Sequence, residues 1–453
     1  MDVVAVLPWW GWTLLGIGVL AVIMAISALF LPDFHEPDFI VGADPDAESP
    51  EFLDVLVGAL NVPVLRGGTA RILENGDAYF PAMLGAIEQA RETVNFQCYI
   101  WESGSVSDRF IAAFSDAARR GVEVRILIDA FGALKFRRAD RERLRAAGCR
   151  LEFFRPIRWY NMVRVFRRSH QRAIVMDGSV GFTGGAAVAD KWDGNAQGAD
   201  HWRDNMTMVT GALVSGVQTA FGNDWVYCCG EILTGPRFYP EPPTGEESLD
   251  GGAAGRYHGR FDARAICSGR EPVGFAVVSS PSAAEQPVRI CHWLTFRSAR
   301  RSLYIANSYF IPDKRLRKVV MERARAGVDV RILVPGAATD AKPVRLAGQT
   351  HYAELMGAGV RIYEYQPTMM HAKVVVVDGI WSVTGSANMD ERSMELNEEN
   401  VLAIRDAGLA REIEEGMRAD FDRSEEFELE RWNRRPFLRR VLERCSRALI
   451  EQY

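Results

Sequence analysis

The stretch MHAKVVVVDGIWSVTGS, residues 370–386, is matched by SHQRAIVMDGSVGFTGG, residues 169–185. The correspondences fall at His170/His371, Arg172/Lys373, Val175/Val376, Asp177/Asp378, Gly178/Gly379, Thr183/Thr384, Gly184/Gly385 and Ala186/Ala387, a displacement of 201 positions (371 − 170). A second pair, ARRGVEVRILID (118–129) and ARAGVDVRILVP (324–335), is displaced by 206 (327 − 121). Each member of that pair reads as the end of an amphipathic helix, a Gly stop and a β-branched strand, one αβ step of a layered fold. One match of this kind can be accidental, but two in register identify an internal duplication.

Working outward, each half alternates strand and helix. The first runs NFQCYIW, a helix near 106–119, VEVRILI, a helix near 139–147 and RLEFF; the second runs SLYIANSYF, a helix near 313–326, VDVRILV, a helix near 344–357 and VRIYEY. The expected fold class is α/β, two similar sandwich halves at 62–234 and 262–424 packed about a pseudo-twofold axis. Between them, residues 235–261 are rich in Gly, Pro and Glu and read as a surface linker.

The two ends differ from the middle. Val3 to Leu31 carries no charged residue, and Trp12–Leu31 supplies the ~20 apolar residues a helix needs to cross a bilayer. Residues 1–34 are thus expected to be a transmembrane anchor, with Trp9, Trp10 and Trp12 at the interface. The alternative, a cleaved signal peptide, is disfavoured by the absence of Lys and Arg ahead of the run and by its length. Residues 35–61 read as an acidic tether with no basic residue. The positive-inside rule then has nothing to count, and the membrane side stays open. In the C-terminal segment 425–453, Leu438, Val441, Leu442, Cys445 and Leu449 fall at helical spacing among the six arginines of 434–453. This is either a basic amphipathic helix for an anionic lipid surface or a helix docked on the domain.

Composition bounds the chemistry. The 453 residues are 48% hydrophobic and 25% charged, enough for a large core, with net charge −5 and a pI near 5.9. That balance argues against nucleic acid as a partner. Arg outnumbers Lys 48 to 6, which reads first as a compositional bias. The seven cysteines form no C-x-x-C pair and are read as reduced, with neither disulfide framework nor metal site. No phosphate-binding loop of Walker type is present, and His35-Glu36 lacks the second His of a zinc motif. No cofactor is expected.

On a strand, residues i and i+2 face the same way, so His170 shares a face with Arg172 and His371 with Lys373. If a two-fold axis brings those ends together, two imidazoles and two fixed cations form a receptor for an anionic phosphodiester. One neutral His attacks phosphorus while the other, protonated, donates to the leaving alkoxide. A lone buried His is more often a satisfied core residue, but the duplicated spacing reverses that preference. Asp177 and Asp378 alternate away from their histidines and take a structural role at the strand end.

At these residues the chain resembles the phospholipase D superfamily, marked by H-x-K-x-x-x-x-D twice, each followed by Gly-Gly or Gly-Ser and an Asn. The likeness runs from about residue 60 to 424. HWRDNMTMVTG (201–211), SYFIPD (308–313), GSANMDERSMELNEEN (385–400) and the N-terminal anchor are similar to bacterial cardiolipin synthases. The resemblance implies transfer of a phosphatidyl group between two phosphatidylglycerols through a covalent phosphatidyl-histidine, releasing glycerol, without a metal. It implies a single-pass protein of the inner cell membrane acting on anionic phospholipids, the cytoplasmic side being favoured for the catalytic domain but not determined; the oligomeric state stays open. It assigns the nucleophile to the first motif, His170, with His371 the alternative because the first motif departs from the pattern, and makes Asp204 and Glu399 the carboxylates that hold the two rings. Arg172, Lys373 and Asn388 would bind the substrate phosphate. The first half departs from the pattern twice, with Arg172 in place of Lys and Ala187 in place of Asn. A hydrolase of the same superfamily and an inactive lipid-binding scaffold are the rival readings.

Overall fold

The computed structural model describes residues 8–30, 38–156, 167–240, 272–280 and 286–435. Two compact units partition it: residues 1–42, holding the helix Trp9–Phe30, and the body from residue 43 onward. Among the described residues no helix is long and apolar enough to cross a membrane. Of the side chains in Trp9–Phe30, those of residues 21 and 23–30 are not described.

In chain order the strands are β1 Leu65–Arg66, β2 Ala70–Glu74, β3 Thr93–Cys98, β4 Glu123–Asp129, β5 Arg150–Phe154, β6 Ala173–Met176, β7 Val180–Gly184, β8 Asn205–Thr210, β9 Val273–Ser279, β10 Ser302–Asn307, β11 Asp329–Pro335, β12 Arg361–Tyr365, β13 Lys373–Val377, β14 Trp381–Gly385, β15 Glu399–Arg405 and β16 Ser424–Glu426. They form a seven-stranded sheet, β2-β8-β7-β6-β3-β4-β5, and a nine-stranded sheet, β1-β9-β15-β14-β13-β10-β11-β12-β16. Without its end strands the second repeats the order of the first. In each, two parallel pairings follow helical crossovers (β3 to β4 to β5, β10 to β11 to β12), and antiparallel strands complete the other side.

The helices expected near 106–119, 139–147 and 313–326 are Ser105–Arg119, Arg138–Ala146 and Lys314–Arg325. The one expected over 344–357 is broken into Lys342–Gly348, a tight turn at Gln349–His351, and Tyr352–Gly357. Buried Gln349 there donates to Glu364 on β12, a tertiary tie that takes precedence over helical continuity.

The domain edges need three corrections. The stretch taken as an acidic tether carries the helix Pro50–Leu60, capped by Ser49, with Phe52 and Leu56 fully buried. Ahead of it, Asp44 pairs with Arg323 at 2.9 Å and Glu48 with Arg301 at 2.8 Å, so these acids dock the segment. Leu65–Arg66, assigned by sequence to the first half, pairs with β9 of the second sheet. The C-terminal segment opens as edge strand β16 and the short helix Leu429–Asn433, whose Trp432 packs on Tyr352 and Phe427; residues 436–453 of that expected helix lie outside the described residues. Of the expected linker, only 235–240 is described.

One hydrophobic core lies mainly in the first half and is built on Phe96, Phe110, Phe114 and Trp101, with Met369 joining it from the second half. A second takes residues from both sheets, Ala173, Val175 and Val209 from one and Val374, Val376 and Leu402 from the other, with the helices Leu213–Cys229 and Ala407–Asp422. On β13, Val374 and Val376 face this shared core. The alternate register, running back through Lys373 to His371, therefore points the other way.

The contacts between halves reciprocate. Ser169 bridges Glu398, and Met370 bridges Arg203. His170 N–H donates to Glu398 O at 2.9 Å, and His371 N–H to Arg203 O at 2.7 Å. Exchanging the halves maps one set onto the other, as a two-fold relation requires.

Candidate active site

Each histidine lies just before its strand, where its backbone is bonded to the opposite half. That placement decides its partner. His170 Nδ1 stands 3.0 and 3.1 Å from the Glu399 oxygens, and His371 Nδ1 stands 2.7 Å from Asp204 Oδ2. Both carboxylates start or directly precede a strand next to the shared seam, Glu399 on β15 and Asp204 ahead of β8. The pairs are thus exchanged: each half supplies the acid for the other half's imidazole.

Further donors fix the acids. Asp204 Oδ2 also accepts from Trp192 Nε1 at 2.8 Å and Asp204 Oδ1 from the Asn205 amide at 2.8 Å. Glu399 Oε2 accepts from Ser386 Oγ at 2.5 Å. Burial pushes both carboxyls up, but the facing imidazole and these hydrogen bonds outweigh it and hold each below the ordinary carboxylate range. Acids that stay ionised keep a proton on Nδ1 of each ring, which leaves Nε2 for chemistry.

The rings are buried and packed. Tyr99 meets His170 edge-on at 5.0 Å, and Trp192 and Trp202 both stand 5.4 Å from His371. Burial lowers the two imidazoles to about 4, helped by the neighbouring cation, Arg172 for His170 and Lys373 for His371. Each also feels the cation of the other half, Lys373 at His170 and Arg172 at His371, so the four groups share one electrostatic environment.

The two cations are held differently. Lys373 Nζ donates to His371 O at 2.6 Å and to Ser308 Oγ at 2.8 Å, and it stands 3.1–3.2 Å from both nitrogens of the His371 ring. Ser308 Oγ in turn donates to Asn388 Oδ1 at 2.8 Å. Desolvation brings the Lys373 ammonium down to about 7. Arg172 is fully buried; Nη1 donates to His170 O at 2.5 Å and Nε lies 3.4 Å from Ala186 O, while buried Nη2 has no acceptor among the described residues. Asn400, from the other half, brackets the Arg172 backbone at 3.0 Å on both its N–H and its C=O.

The structure therefore brings together His170, His371, Arg172, Lys373, Asp204, Glu399 and Asn388. It sets Asp177 and Asp378 apart, in the turns after β6 and β13 rather than on the strands. Both have positive φ, 50° and 55°, and each is followed by a positive-φ glycine, the geometry Asp-Gly favours in a tight hairpin. Asp177 accepts from the amides of Arg91, Glu92 and Thr93, and Asp378 from those of Arg300, Arg301 and Ser302. Each carboxylate ties its hairpin to the start of a neighbouring strand.

Sequence reasoning missed Trp192, Ser308, Tyr99 and Ser386. Ser386 was within reach, because it follows the repeated Gly385 and stands where the first half has Gly185. A Cβ on Gly185 would come 2.3 Å from Asp204 Oδ1, so that half has room for no such hydroxyl. Trp192 carries no periodic or motif signal, since it sits in a three-residue helical turn, Asp190–Trp192, between strands.

A duplicated α/β body whose halves exchange His–carboxylate pairs beside two buried cations is the architecture of the phospholipase D superfamily. The family described as "Cardiolipin synthase, PLD-like domain" matches residues 83–225 and 294–421, and the chain belongs to it. It is 31% identical over 388 residues to the cardiolipin synthase of Geobacillus kaustophilus (strain HTA426), covering 85% of this chain and 73% of that relative. It is 32% identical over 383 residues to cardiolipin synthase 1 of Bacillus cereus, covering 84% and 72%. Among solved structures, phosphatidylserine synthase of Haemophilus influenzae Rd KW20 superposes with a TM-score of 0.64 at 16% identity, over 89% of this chain and 98% of that one, which shows a common fold. Family membership makes the chain an enzyme of phosphodiester chemistry.

Proposed function

We propose that the chain transfers a phosphatidyl group from one phosphatidylglycerol to a second, giving cardiolipin and glycerol, through a covalent intermediate on His170. The observation that carries this reading is the pair of exchanged His–carboxylate contacts, 3.0 and 2.7 Å, set beside Arg172 and Lys373. The names of the relatives support the choice of lipid.

In the first step the His170 Nε2 lone pair forms a bond to phosphorus. The bond from phosphorus to the glycerol headgroup oxygen breaks, and His371 protonates that oxygen. In the second step the terminal hydroxyl of another phosphatidylglycerol gives its proton to His371 and its oxygen attacks phosphorus. The phosphorus–nitrogen bond then breaks and cardiolipin leaves. Without substrate both rings are neutral at pH 7, because burial and two cations hold them near 4. A phosphodiester anion seated between Arg172 and Lys373 offsets those cations and restores the basicity that His371 needs as the acid. Assigning the nucleophile to His170 rests on the lysine: Lys373 Nζ stands 3.2 Å from His371 Nε2, and among the described residues no such cation is bonded to the His170 ring.

The apolar run Val3–Leu31 serves in this reading as a membrane anchor that keeps the enzyme at its substrate. The test is purified protein with phosphatidylglycerol in EDTA, followed by acid quench and peptide mass spectrometry. Equimolar cardiolipin and glycerol with a lipid-phosphorylated His170 peptide are expected. Phosphatidic acid as the sole lipid product, with an equivalent of glycerol, would establish a hydrolase instead, and no turnover with no labelled histidine would leave only a lipid-binding scaffold.

A further inference from the structure

We propose that the loop 130–137, between β4 and the helix Arg138–Ala146, is a docking surface that seats the body on an anionic bilayer next to the His170 half of the site. The proposal rests on the lipid substrate argued above and adds the face that meets the lipid.

Two large apolar side chains on this loop project into solvent, Phe131 at 46% and Leu134 at 66% exposure. The backbone beneath them is firmly held. Asp129 Oδ1 accepts from Phe131 N at 2.8 Å, Ala133 N donates to Asp129 O at 3.0 Å, and Arg141 Nη2 donates to Ala133 O at 2.7 Å. Phe136 anchors the far end, buried and stacked on Trp101 at 4.9 Å. A fixed loop that presents Phe and Leu outward leaves apolar area in water that a partner surface can cover.

The surrounding charge selects the partner. Residues 131–145 contain six basic and two acidic residues in a chain whose net charge is −5. Lys135 is 74%, Arg137 64% and Arg138 91% exposed, each with only one carboxylate close by among the described residues. Apolar tips ringed by cations match a bilayer bearing anionic headgroups.

The loop also adjoins the site. Gly132 lies so close to Tyr99 that a Cβ on it would come 1.9 Å from Tyr99 O, and Tyr99 packs on His170 at 5.0 Å. Asp129, at the root of the loop, accepts from the amide of Ser169, the residue before His170. The corresponding loop of the second half, after β11, reads GAATDA (336–341); it offers no large apolar side chain, and its Asp340 accepts from Tyr309 beside His371. The lipid-facing character belongs to one half.

The test uses the full chain with p-benzoylphenylalanine at position 131, or at Arg119 as an exposed control, irradiated with vesicles of phosphatidylcholine alone or mixed with phosphatidylglycerol. Lipid adducts at 131 that rise with phosphatidylglycerol and are absent at 119 are expected. In parallel, F131D/L134D is expected to lower turnover of vesicle phosphatidylglycerol by at least about tenfold while changing turnover of monomeric dihexanoyl-phosphatidylglycerol less than about twofold. Adducts to protein rather than lipid, equal labelling at 131 and 119, or equal losses on both substrates would overturn the proposal. Lipid adducts from a protein that turns over neither substrate would sink the proposed chemistry and leave the docking surface standing.

Discussion

The two half-sites share a backbone plan and differ in how they furnish it. Around His371 the set is Lys373, Ser308 and Asn388, a relay of hydrogen bonds of 2.8 Å each. Around His170 the matching positions hold Arg172, Tyr99 and Ala187. These three exchanges belong together. The larger guanidinium reaches Ala186 O by itself, and the Ser–Asn relay that steadies an ammonium is replaced by an aromatic edge and a methyl. A planar fork whose Nη2 has no partner among the described residues suits bidentate grip on a phosphate, whereas an ammonium brought down to about 7 beside an imidazole suits proton movement. The difference teaches that a duplicated site can furnish its two copies differently without changing its strands; in the proposed chemistry it would weight phosphate binding to one copy and acid–base work to the other.

The strongest way to break this comparison is to remove each ring. His170→Ala and His371→Ala are both expected to reduce turnover by on the order of 10³-fold or more. Acid-quenched wild type should carry the label on His170, and label on His371 would invert the division of labour. Next comes the coupling of the exchanged triplet. Arg172→Lys alone should lower kcat/KM by about 10–100-fold, because a shorter ammonium in that pocket lacks the Ser–Asn relay. Adding Tyr99→Ser and Ala187→Asn should recover at least about tenfold of that loss, a coupling of roughly 1.4 kcal/mol. Additive losses in the triple variant would show that the three positions are independent.

A smaller effect tests the acids. Trp192→Phe keeps the ring against His371 but removes the N–H bonded to Asp204, and should lower kcat about tenfold with little change in KM. Ser386→Ala does the same to Glu399 and should do so with its own pH profile, since it acts through His170. Identical profiles in the two variants would argue against separate roles.

The mildest prediction concerns pH. Lys373 loses its proton at about 7, so kcat/KM should fall as pH rises through that value, and Lys373→Arg should remove this limb. Stability should move the opposite way. His170, His371 and the buried His292 all have folded-state values of about 4, below the ordinary 6.5. Between those values the unfolded chain binds protons that the folded chain excludes. The part of stability that these three imidazoles contribute is therefore fully present above about 6.5 and lost as pH falls toward 4. Burial raises Asp129, Asp224 and Asp390 to about 6 and Glu398 to about 7, which opposes that trend over the same range. Melting temperatures of wild type and the His170→Asn, His371→Asn double variant from pH 7 to 4.5 should therefore differ by a gap that closes as the pH falls.

The amino-acid sequence by itself determined the duplication, the α/β alternation and the shared face of each histidine with its cation. Such features follow from spacing along the chain, where periods of 2 and 3.6 residues act locally. The Asp-Gly turns were equally readable, although the sequence reading left Asp177 and Asp378 on a strand face instead of at positive φ. Only the tertiary structure decided that Glu399 serves His170 and Asp204 serves His371. Those pairs span 229 and 167 residues, and nothing local distinguishes a carboxylate that meets its own half from one that meets the other. The same holds for Trp192 and Ser308, whose roles arise from where the packed halves place an N–H or a hydroxyl. It holds too for the depressed basicity of both rings, which is a property of burial.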